Sequence, residues 1–236
     1  MTAEKTVSEI SSIAKAASLQ LAHLSVDIKN RALEEVASAI EGGCSSILQA
    51  NVKDLEFAQN ENISGPLIAR LRLNKNKIIG MAKGIRSVIS LEDPVGQQQM
   101  AIEMDEGLTL YRVTCPIGVI GAIFESRPDA VPQISSLCFK SGNAVILKGG
   151  REAQHSNKMI VSLITDAIDK VDGVPTGSVQ MIKTRSEVAD MLKEEKNINL
   201  IVPRGSNDFV KYIQGNTRIP VLGHSEGICH VYIDSK

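Results

Sequence analysis

The sequence has 236 residues, of which 43% are hydrophobic and 22% charged, with a formal net charge of −1. This composition is ordinary for a globular protein that can bury a core, and the near-neutral charge argues against a nucleic-acid or membrane surface as the partner. Tryptophan is absent and aromatic residues make up only 3% of the chain, which disfavours a stacking platform for single-stranded nucleic acid.

The cysteines and the N-terminus indicate the compartment. The four cysteines are scattered with no Cys-x-x-Cys pair, and three lie among apolar residues, which favours reduced thiols over disulfides. The N-terminus carries acidic residues and lacks the apolar segment of a secretory signal, and no apolar run approaches the length of a membrane span. We therefore expect a soluble, cytoplasmic protein.

Residues 1–93 are predicted to be almost entirely helical, because apolar residues recur at intervals of three and four. Ser25-Val26-Asp27 is typical of a helix cap, and Gly42-Gly43 of a helix end. We expect this helical layer to pack against the sheet that follows rather than to form a separate bundle, because no linker separates the two.

Residues 94–114 are predicted to form a β-hairpin. Apolar and polar residues alternate on both sides of the turn signal Asp105-Glu106-Gly107. The Met and Leu residues of one face need a cover, which either a partner subunit or the chain's own core would supply.

Residues 115–236 are predicted to form an α/β domain. A buried strand at 117–124, a helix that Pro128 opens and a second buried strand at 144–147 make a βαβ unit with parallel strands. After this unit we expect further helices and strands in alternation. They are a helix at 159–171, a strand at 179–182, a helix at 187–196 capped by Ser186, a strand at 199–202, a helix at 208–214 and short strands at 220–222 and 229–234. This rhythm predicts a doubly wound parallel sheet.

Two predicted strand ends carry groups that suit phosphate. Lys148-Gly149-Gly150 offers an ammonium group and unhindered backbone N–H groups before a helix start, and Arg204-Gly205-Ser206 offers a cation, a glycine and a hydroxyl. Neither is a Gly-x-Gly-x-x-Gly fingerprint, and glycine at such a turn is often only a conformational requirement. Together, on consecutive elements of one sheet, they favour a nucleotide.

The segment at the carboxyl end of the first buried strand is unusually polar, with Glu125, Ser126 and Arg127. Arg127 could bind a carboxylate or phosphate through two hydrogen bonds. The alternative is an ion pair with Asp129 or Glu125 beside an ordinary helix cap.

The segment from Gly223 to His230 contains histidine, serine, glutamate and cysteine. On a strand, Cys229 and His230 would point to opposite faces and could not act together, so a buried Cys229 is the simpler interpretation. The segment offers too few ligands for zinc, and we expect no metal site. His224 lies either near the nucleotide cleft or on the surface.

The chain closely resembles the γ-glutamyl phosphate reductase family of the aldehyde dehydrogenase superfamily, including the reductase half of bifunctional pyrroline-5-carboxylate synthase. The resemblance runs over essentially the whole chain and is carried by TCPIGVIGAIFESRPDAVPQ, SGNAVILKGGREAQHSN, IVPRGSNDFV and PVLGHSEGICHVYID. It implies NADPH-dependent reduction of L-glutamate 5-phosphate to the semialdehyde and phosphate, a step of proline biosynthesis. The implied mechanism is covalent: a cysteine thiolate displaces phosphate, and hydride then reduces the thioester.

The resemblance also implies roles by position. Lys148, Gly149 and Gly150 would meet the adenosine ribose and its 2′-phosphate, with Glu152 in the same cofactor site. Gly205 and Ser206 would lie over the pyrophosphate or nicotinamide side. The loop facing the substrate would contain Glu125, Ser126, Arg127 and His224. The hairpin, at residues 97–114, corresponds to the arm such enzymes use to form homo-oligomers.

One departure from the family pattern is central. The family's nucleophilic cysteine lies in an Ala-Ala-Cys-Asn-Ala type motif downstream of the segment matching HVYID, and this sequence contains no such motif. We therefore expect no catalytic residue in this chain, which would be a cofactor-binding portion without its catalytic domain and inactive alone. Alternatives are a non-catalytic dinucleotide-binding or assembly module that associates with full-length subunits, and another NAD(P)-linked dehydrogenase, against which the loops at Glu125 and His224 argue.

Overall fold

The structure is a computed structural model that describes residues 5–223 and 230–234. Five helices come first: α1 (Val7–Leu21), α2 (Val26–Gly42), α3 (Cys44–Asn60), α4 (Gly65–Leu71) and α5 (Lys75–Ile89). A hairpin of β1 (Gln98–Asp105) and β2 (Leu108–Val113) follows. Strands and helices then alternate: β3 (Val119–Ile123), α6 (Ala130–Lys140), β4 (Ala144–Lys148), α7 (Gln154–Ile168), β5 (Val179–Met181), α8 (Arg185–Met191), β6 (Leu200–Pro203) and α9 (Asn207–Gly215).

The central sheet has four parallel strands in the order β5-β4-β3-β6. β3 is buried along its whole length and pairs with both neighbours, Ile120 lying opposite Val145 of β4 and Leu200 of β6. Uninterrupted apolar strands are typical of parallel sheets covered on both faces. The α/β fold class with a parallel sheet and a separate hairpin, as predicted from the sequence, is confirmed.

The strand order reverses between β3 and β6. From β3 the chain moves outward to β4 and β5, and it then returns to the other side of β3 to add β6. In open α/β sheets, ligands bind beyond the carboxyl ends of the strands at such a reversal. The loops that leave β3 and β6 therefore border the expected binding region.

The N-terminal helices share a core with this sheet. Leu21 and Leu33 of the helices and Val145 and Ile146 of β4 belong to one continuous cluster of buried residues. α1 contacts β3, β4 and β5, while α2 and α3 contact α7. The helical layer and the sheet are thus packed together.

The start of α8 differs from the sequence prediction. Thr184, not Ser186, is the N-cap, because Glu187 N–H donates to Thr184 Oγ1 at 3.2 Å and Thr184 N–H donates to the Glu187 carboxylate at 2.5 Å. This reciprocal capping box fixes the helix start at Arg185. α8 ends at Met191, before the predicted end at residue 196.

The two short strands predicted near the end of the chain are not formed as expected. Val221 makes a single parallel bridge with Ile201 and no further ladder. Residues 230–234 lie in no strand, and Val231 and Tyr232 are 84% and 89% exposed. Cys229, at the start of the predicted strand, lies outside the described residues.

The hairpin presents uncovered apolar side chains. Ile102 pairs with Leu110 across the ladder, and these residues are 44% and 51% exposed. Met104 and Leu108, near the turn, are 62% and 61% exposed. Gly107 occupies a left-handed conformation in the turn, as a tight hairpin connection requires. Within the described residues, the chain's own core does not cover these side chains.

The hairpin begins at a cluster of buried and half-buried polar groups, which we call the hairpin root: Lys29, Asn30, Asp93 and Lys140. Lys29 is 1% exposed and forms an ion pair with Asp93. Lys140 Nζ donates to Asn30 Oδ1 at 2.7 Å and to the carbonyl oxygen of Ile89 at 3.0 Å. The second carboxylate oxygen of Asp93 accepts from Val95 N–H at 3.0 Å, so the cluster joins α2 and α6 to the first residues of the hairpin segment.

Candidate functional site

Two adjoining cavities lie at the carboxyl end of the sheet. The larger, which we call the β4 cleft, has a volume of about 1110 Å³ and is bordered by the loops that leave β4, β5 and β6. The smaller, the β3 cavity, has a volume of about 670 Å³ and lies between α4, α6 and the ends of β3 and β6. Phe124, Glu125, Ser126 and Arg204 line both. The loop after β3 therefore forms a common wall at the reversal of strand order.

The β4 cleft is strongly basic. Its lining contains five basic residues and two acidic ones, namely Lys148, Arg151, Lys183, Arg185 and Arg204 against Glu125 and Glu152. The chain as a whole carries a net charge of −1, so this excess is local. A concave site with such a lining concentrates anionic ligands.

Lys148 lies at the carboxyl end of β4, half-buried in the cleft. Its Nζ donates to the carbonyl oxygen of Gly149 at 2.7 Å. Desolvation lowers the pKa of Lys148; the negative charge of Glu152 opposes this shift, and the positive charge of Arg185 adds to it. The ammonium group is thus destabilised in the absence of an anion.

Glu152 connects the loops that follow β3 and β4. Its Oε1 accepts from Ser126 N–H at 2.7 Å and from Ser126 Oγ–H at 2.5 Å. Ser126 has φ of 26°, a left-handed conformation unusual for serine, and this pair of bonds helps to hold it. The sequence predicts Glu152 for the cofactor side and Ser126 for the substrate side; the structure brings the two into direct contact.

Gly149 is needed for packing. A Cβ at this position would overlap the Asn157 side-chain amide and approach Phe124 Cε2 at 3.2 Å. Asn157 is 1% exposed, and neither atom of its amide group has a hydrogen-bond partner within the described residues. A Cβ at Gly150 would overlap the carboxyl group of Glu152.

At the N-terminus of α7, two backbone N–H groups are bound by a side chain of the chain itself. The buried carboxylate of Asp54 in α3 accepts from His155 N–H at 2.9 Å and from Ser156 N–H at 2.7 Å. A carboxylate from the chain itself therefore satisfies the donors and complements the helix dipole. These two donors are therefore engaged before any anion enters the β4 cleft.

Gly205 and Ser206 lie at the start of α9. Ser206 is the N-cap, its Oγ accepting from Phe209 N–H at 3.4 Å, and it lines the β4 cleft. Gly205 lines the β3 cavity, and a Cβ there would lie 3.0 Å from Phe209 Cδ1 and 3.2 Å from Glu125 Oε1. Both predicted site residues border the cavities, and both also have a structural role.

Arg127 forms an ion pair with Asp129, which was the alternative to ligand binding that the sequence left open. Its Nη2 donates to Asp129 Oδ2 at 2.9 Å, and this bond raises its pKa. The side chain still lines the β3 cavity, 58% exposed, together with Glu125. His224, the remaining residue predicted for the substrate side, lies outside the described residues.

Three of the cysteines, Cys44, Cys115 and Cys138, lie within the described residues. Cys138 lines the β3 cavity, but burial raises the pKa of its thiol to about 12, so it is protonated at neutral pH. Cys44 lies on α3 and Cys115 follows the hairpin, and neither lines either cavity. Cys229 lies outside the described residues.

Three basic residues of the cleft were not singled out from the sequence: Arg151, Lys183 and Arg185. The guanidinium of Arg151 lies 4.9 Å from the ring centroid of Phe57, a cation–π contact that orients it at the edge of the cleft. Lys183 and Arg185 follow β5, and a cation just after a strand end is the signal that could have found them.

The described residues contain neither a membrane-spanning helix nor a cluster of metal ligands. Among residues 5–223 and 230–234, no helix is both long and apolar enough to cross a membrane. The same residues contain no cluster of histidine, cysteine, aspartate or glutamate side chains that could hold a metal ion.

A parallel sheet with a reversal of strand order and a basic cleft at its carboxyl end defines a dinucleotide-binding α/β domain. The family model for the aldehyde dehydrogenase family matches residues 1–221, and the chain belongs to this family.

Within the family, the chain is similar to proteins named gamma-glutamyl phosphate reductase. It is 51% identical to the one from Acetivibrio thermocellus over 229 residues, which are 97% of this chain and 53% of the relative. The crystal structure of the Thermotoga maritima protein superposes with a TM-score of 0.89 at 34% identity, covering 92% of this chain and 53% of that one. The crystal structure of the Saccharomyces cerevisiae protein superposes with a TM-score of 0.85 at 41% identity, covering 95% of this chain and 57% of that one. The chain thus spans about half the length of these relatives.

Proposed function

We propose that this chain provides the cofactor-binding part of an enzyme that reduces L-glutamate 5-phosphate to L-glutamate 5-semialdehyde and phosphate with NADPH, a step of proline biosynthesis. The observation that carries the proposal is similarity at 51% identity over 97% of the chain to a protein named for this reductase. The basic cleft at the reversal of strand order supports it independently, since that is where a dinucleotide would bind.

The residues of the β4 cleft fit a dinucleotide phosphate. Lys148 and the other basic residues suit the phosphates, while the side chains of Val188 and Phe209 provide apolar surface for an aromatic base. Bound NADPH would supply hydride. The protein's part is to hold the dinucleotide between the loops after β4, β5 and β6 and to exclude water from its reacting end.

The substrate would approach from the β3 cavity. Arg127 and Arg70 line this cavity and are the cationic groups suited to the phosphate and carboxylate of the substrate. Ser126 and Glu125 stand in the wall shared with the β4 cleft, where cofactor and substrate would meet.

We further propose that none of the four cysteines of this sequence is the nucleophile of the reaction. The raised pKa of Cys138 supports this, as does the position of Cys44 and Cys115 away from both cavities. The chain alone should then bind the cofactor without turning over.

Titration calorimetry with NADPH, beside an assay of semialdehyde-dependent reduction of NADP on the same sample, tests the proposal. Binding without turnover is the expected result. Turnover would overturn the assignment of the nucleophile, and Cys229 would then be the first residue to replace. Absence of binding would contradict the cofactor assignment for this chain.

A second candidate function is assembly with other subunits through the hairpin at 97–114, and the exposed Ile102, Met104, Leu108 and Leu110 favour it. The same surface would form the homo-oligomer of the reductase. Ile102→Glu should shift the protein to a smaller species in light scattering, because a charge cannot be buried cheaply in an apolar interface. Asp105→Asn at the hairpin tip is the control, and an unchanged molar mass for Ile102→Glu would exclude this surface.

A further inference from the structure

Asn157 carries a buried amide group that has no hydrogen-bond partner within the described residues. The side chain lies near the start of α7 and is 1% exposed. Three buried side-chain atoms of the described residues lack a partner, and two of them are the nitrogen and the oxygen of this one amide. Buried amide groups are normally bonded, because an unmet donor or acceptor costs free energy, so the exception requires an explanation.

The amide of Asn157 lies against Gly149, in the loop that leaves β4. A Cβ at Gly149 would overlap Asn157 Nδ2, and of the three atoms nearest to such a Cβ, this nitrogen is the polar one. Gly149 is itself buried. An unbonded N–H donor therefore lies directly beside the backbone of a buried residue in the wall of the β4 cleft.

The carbonyl groups of this loop differ in what holds them. The carbonyl oxygen of Lys148 accepts from Phe124 N–H at 2.9 Å. That of Gly150 accepts from Ala153 N–H at 3.2 Å. The carbonyl oxygen of Gly149, in contrast, accepts from a side chain, Lys148 Nζ, at 2.7 Å. Because Lys148 lines the β4 cleft, a buried acceptor depends on a donor that also faces the ligand.

An anion in the β4 cleft would compete with Gly149 for the ammonium group of Lys148. Within the described residues, Lys148 Nζ has one hydrogen-bond partner, the Gly149 carbonyl. A bond between two charged groups is about twice as strong as one to a neutral acceptor, so the ammonium would turn toward the anion. The buried carbonyl would then lose its donor, at a cost comparable to a lost hydrogen bond.

We propose that Asn157 is a positioning residue, whose amide donates to the Gly149 carbonyl when Lys148 turns toward a ligand in the β4 cleft. The asparagine amide has two N–H donors, and Nδ2 already lies beside Gly149. The new bond pairs two buried groups that would each be unbonded alone, so it lowers the cost of moving Lys148. This inference rests on the proposed function, because the proposed cofactor is the ligand that tests it.

Asn157→Leu tests the inference, because leucine has the same branching without the polar atoms. The urea midpoint of the free protein should be unchanged or raised, since no hydrogen bond within the chain is lost. The Kd of NADPH, measured by calorimetry, should rise by about tenfold, since the Gly149 carbonyl has no donor in the complex. An unchanged Kd would overturn the inference.

Asn51→Leu is the matched control for stability. Asn51 is also buried, at 2% exposure, but both atoms of its amide are bonded. Nδ2 donates to the Leu71 carbonyl oxygen at 3.0 Å, and Oδ1 accepts from Leu73 N–H at 2.9 Å. This variant should lower the urea midpoint. An equal loss for Asn157→Leu would show that the Asn157 amide is bonded in the free protein, to a buried water for example, and would overturn the inference.

The side-chain amide protons of Asn157 report the new bond in the unaltered chain. Their heteronuclear NMR resonance, assigned by its loss in Asn157→Leu, should move downfield when NADPH is added. Lys148→Ala removes the donor of Gly149 without any ligand, so it should move the resonance in the same direction in the free protein. NADPH binding with an unmoved resonance would overturn the inference alone. Failure of the unaltered chain to bind NADPH would overturn the proposed function as well.

Discussion

The hairpin root and the β4 cleft use charged residues in opposite ways. At the root, the charges of Lys29 and Lys140 are buried and each meets an acceptor in the chain. In the cleft, basic residues outnumber acidic ones. The two carboxylates that act on the pKa of Lys148, those of Glu152 and Glu187, accept hydrogen bonds from other groups. Paired buried charge fixes a structure, whereas excess accessible charge of one sign is suited to a ligand. Substitutions at the two places should therefore have different effects.

The largest effect is expected at the root. Asp93→Ala leaves the buried ammonium of Lys29 without its partner and should lower the free energy of unfolding by about 3–5 kcal/mol. Urea denaturation measures the loss. Asp105→Ala, at the exposed tip of the hairpin, is the control and should change stability by less than about 0.5 kcal/mol. If the two variants were equally stable, the root would not be the anchor that its geometry indicates.

An intermediate effect is expected at Gly149, which belongs to the cleft by position but to the core by packing. Gly149→Ala pushes a methyl group into the Asn157 amide and should cost about 1–3 kcal/mol of stability. Gly84→Ala in α5 is the matched control: a Cβ there meets no atom within 4 Å, so it should stabilise by about 0.5–1 kcal/mol. Equal effects of the two changes on thermal unfolding would contradict this packing role.

The smallest effect on the fold, and a clear one on binding, is expected at Lys148. Its pKa in the free protein is lowered by desolvation, so the ammonium loses its proton below the pH at which an exposed lysine does. NADPH affinity should therefore decline as the pH rises through this lowered pKa. Lys148→Arg should flatten the decline because guanidinium stays protonated. Calorimetry between neutral and alkaline pH measures both, and identical pH profiles would show that Lys148 does not contact the cofactor.

Much of the fold follows from local patterns. The uninterrupted apolar residues of β3 and β4 and the helical spacing in α6 predicted a parallel βαβ unit, which the structure contains. The Thr184–Glu187 capping box is also a local signal, and it sets the start of α8 in place of the predicted cap Ser186. Local signals could not predict the cap that Asp54 provides to α7, because the two groups are about a hundred residues apart and only packing brings them together.

The candidate site was only partly predictable for the same reason. Lys148 and Ser206 were identified because they follow strands, and both line the β4 cleft. The ion pair of Arg127 with Asp129 was foreseen as an alternative, since the two residues are neighbours along the chain. Arg185 was missed because its importance depends on β5 lying beside β4, and strand order is a tertiary property.

The bond between Glu152 and Ser126 has a thermodynamic consequence for the two cavities. The carboxylate comes from the loop after β4, and the serine stands in the wall of the β3 cavity in a left-handed conformation. A ligand in the β4 cleft that moves Glu152 changes the conformational free energy of Ser126, which lines both cavities. By linkage the reverse must hold to the same extent, so the binding of cofactor and of substrate would be cooperative through this one carboxylate.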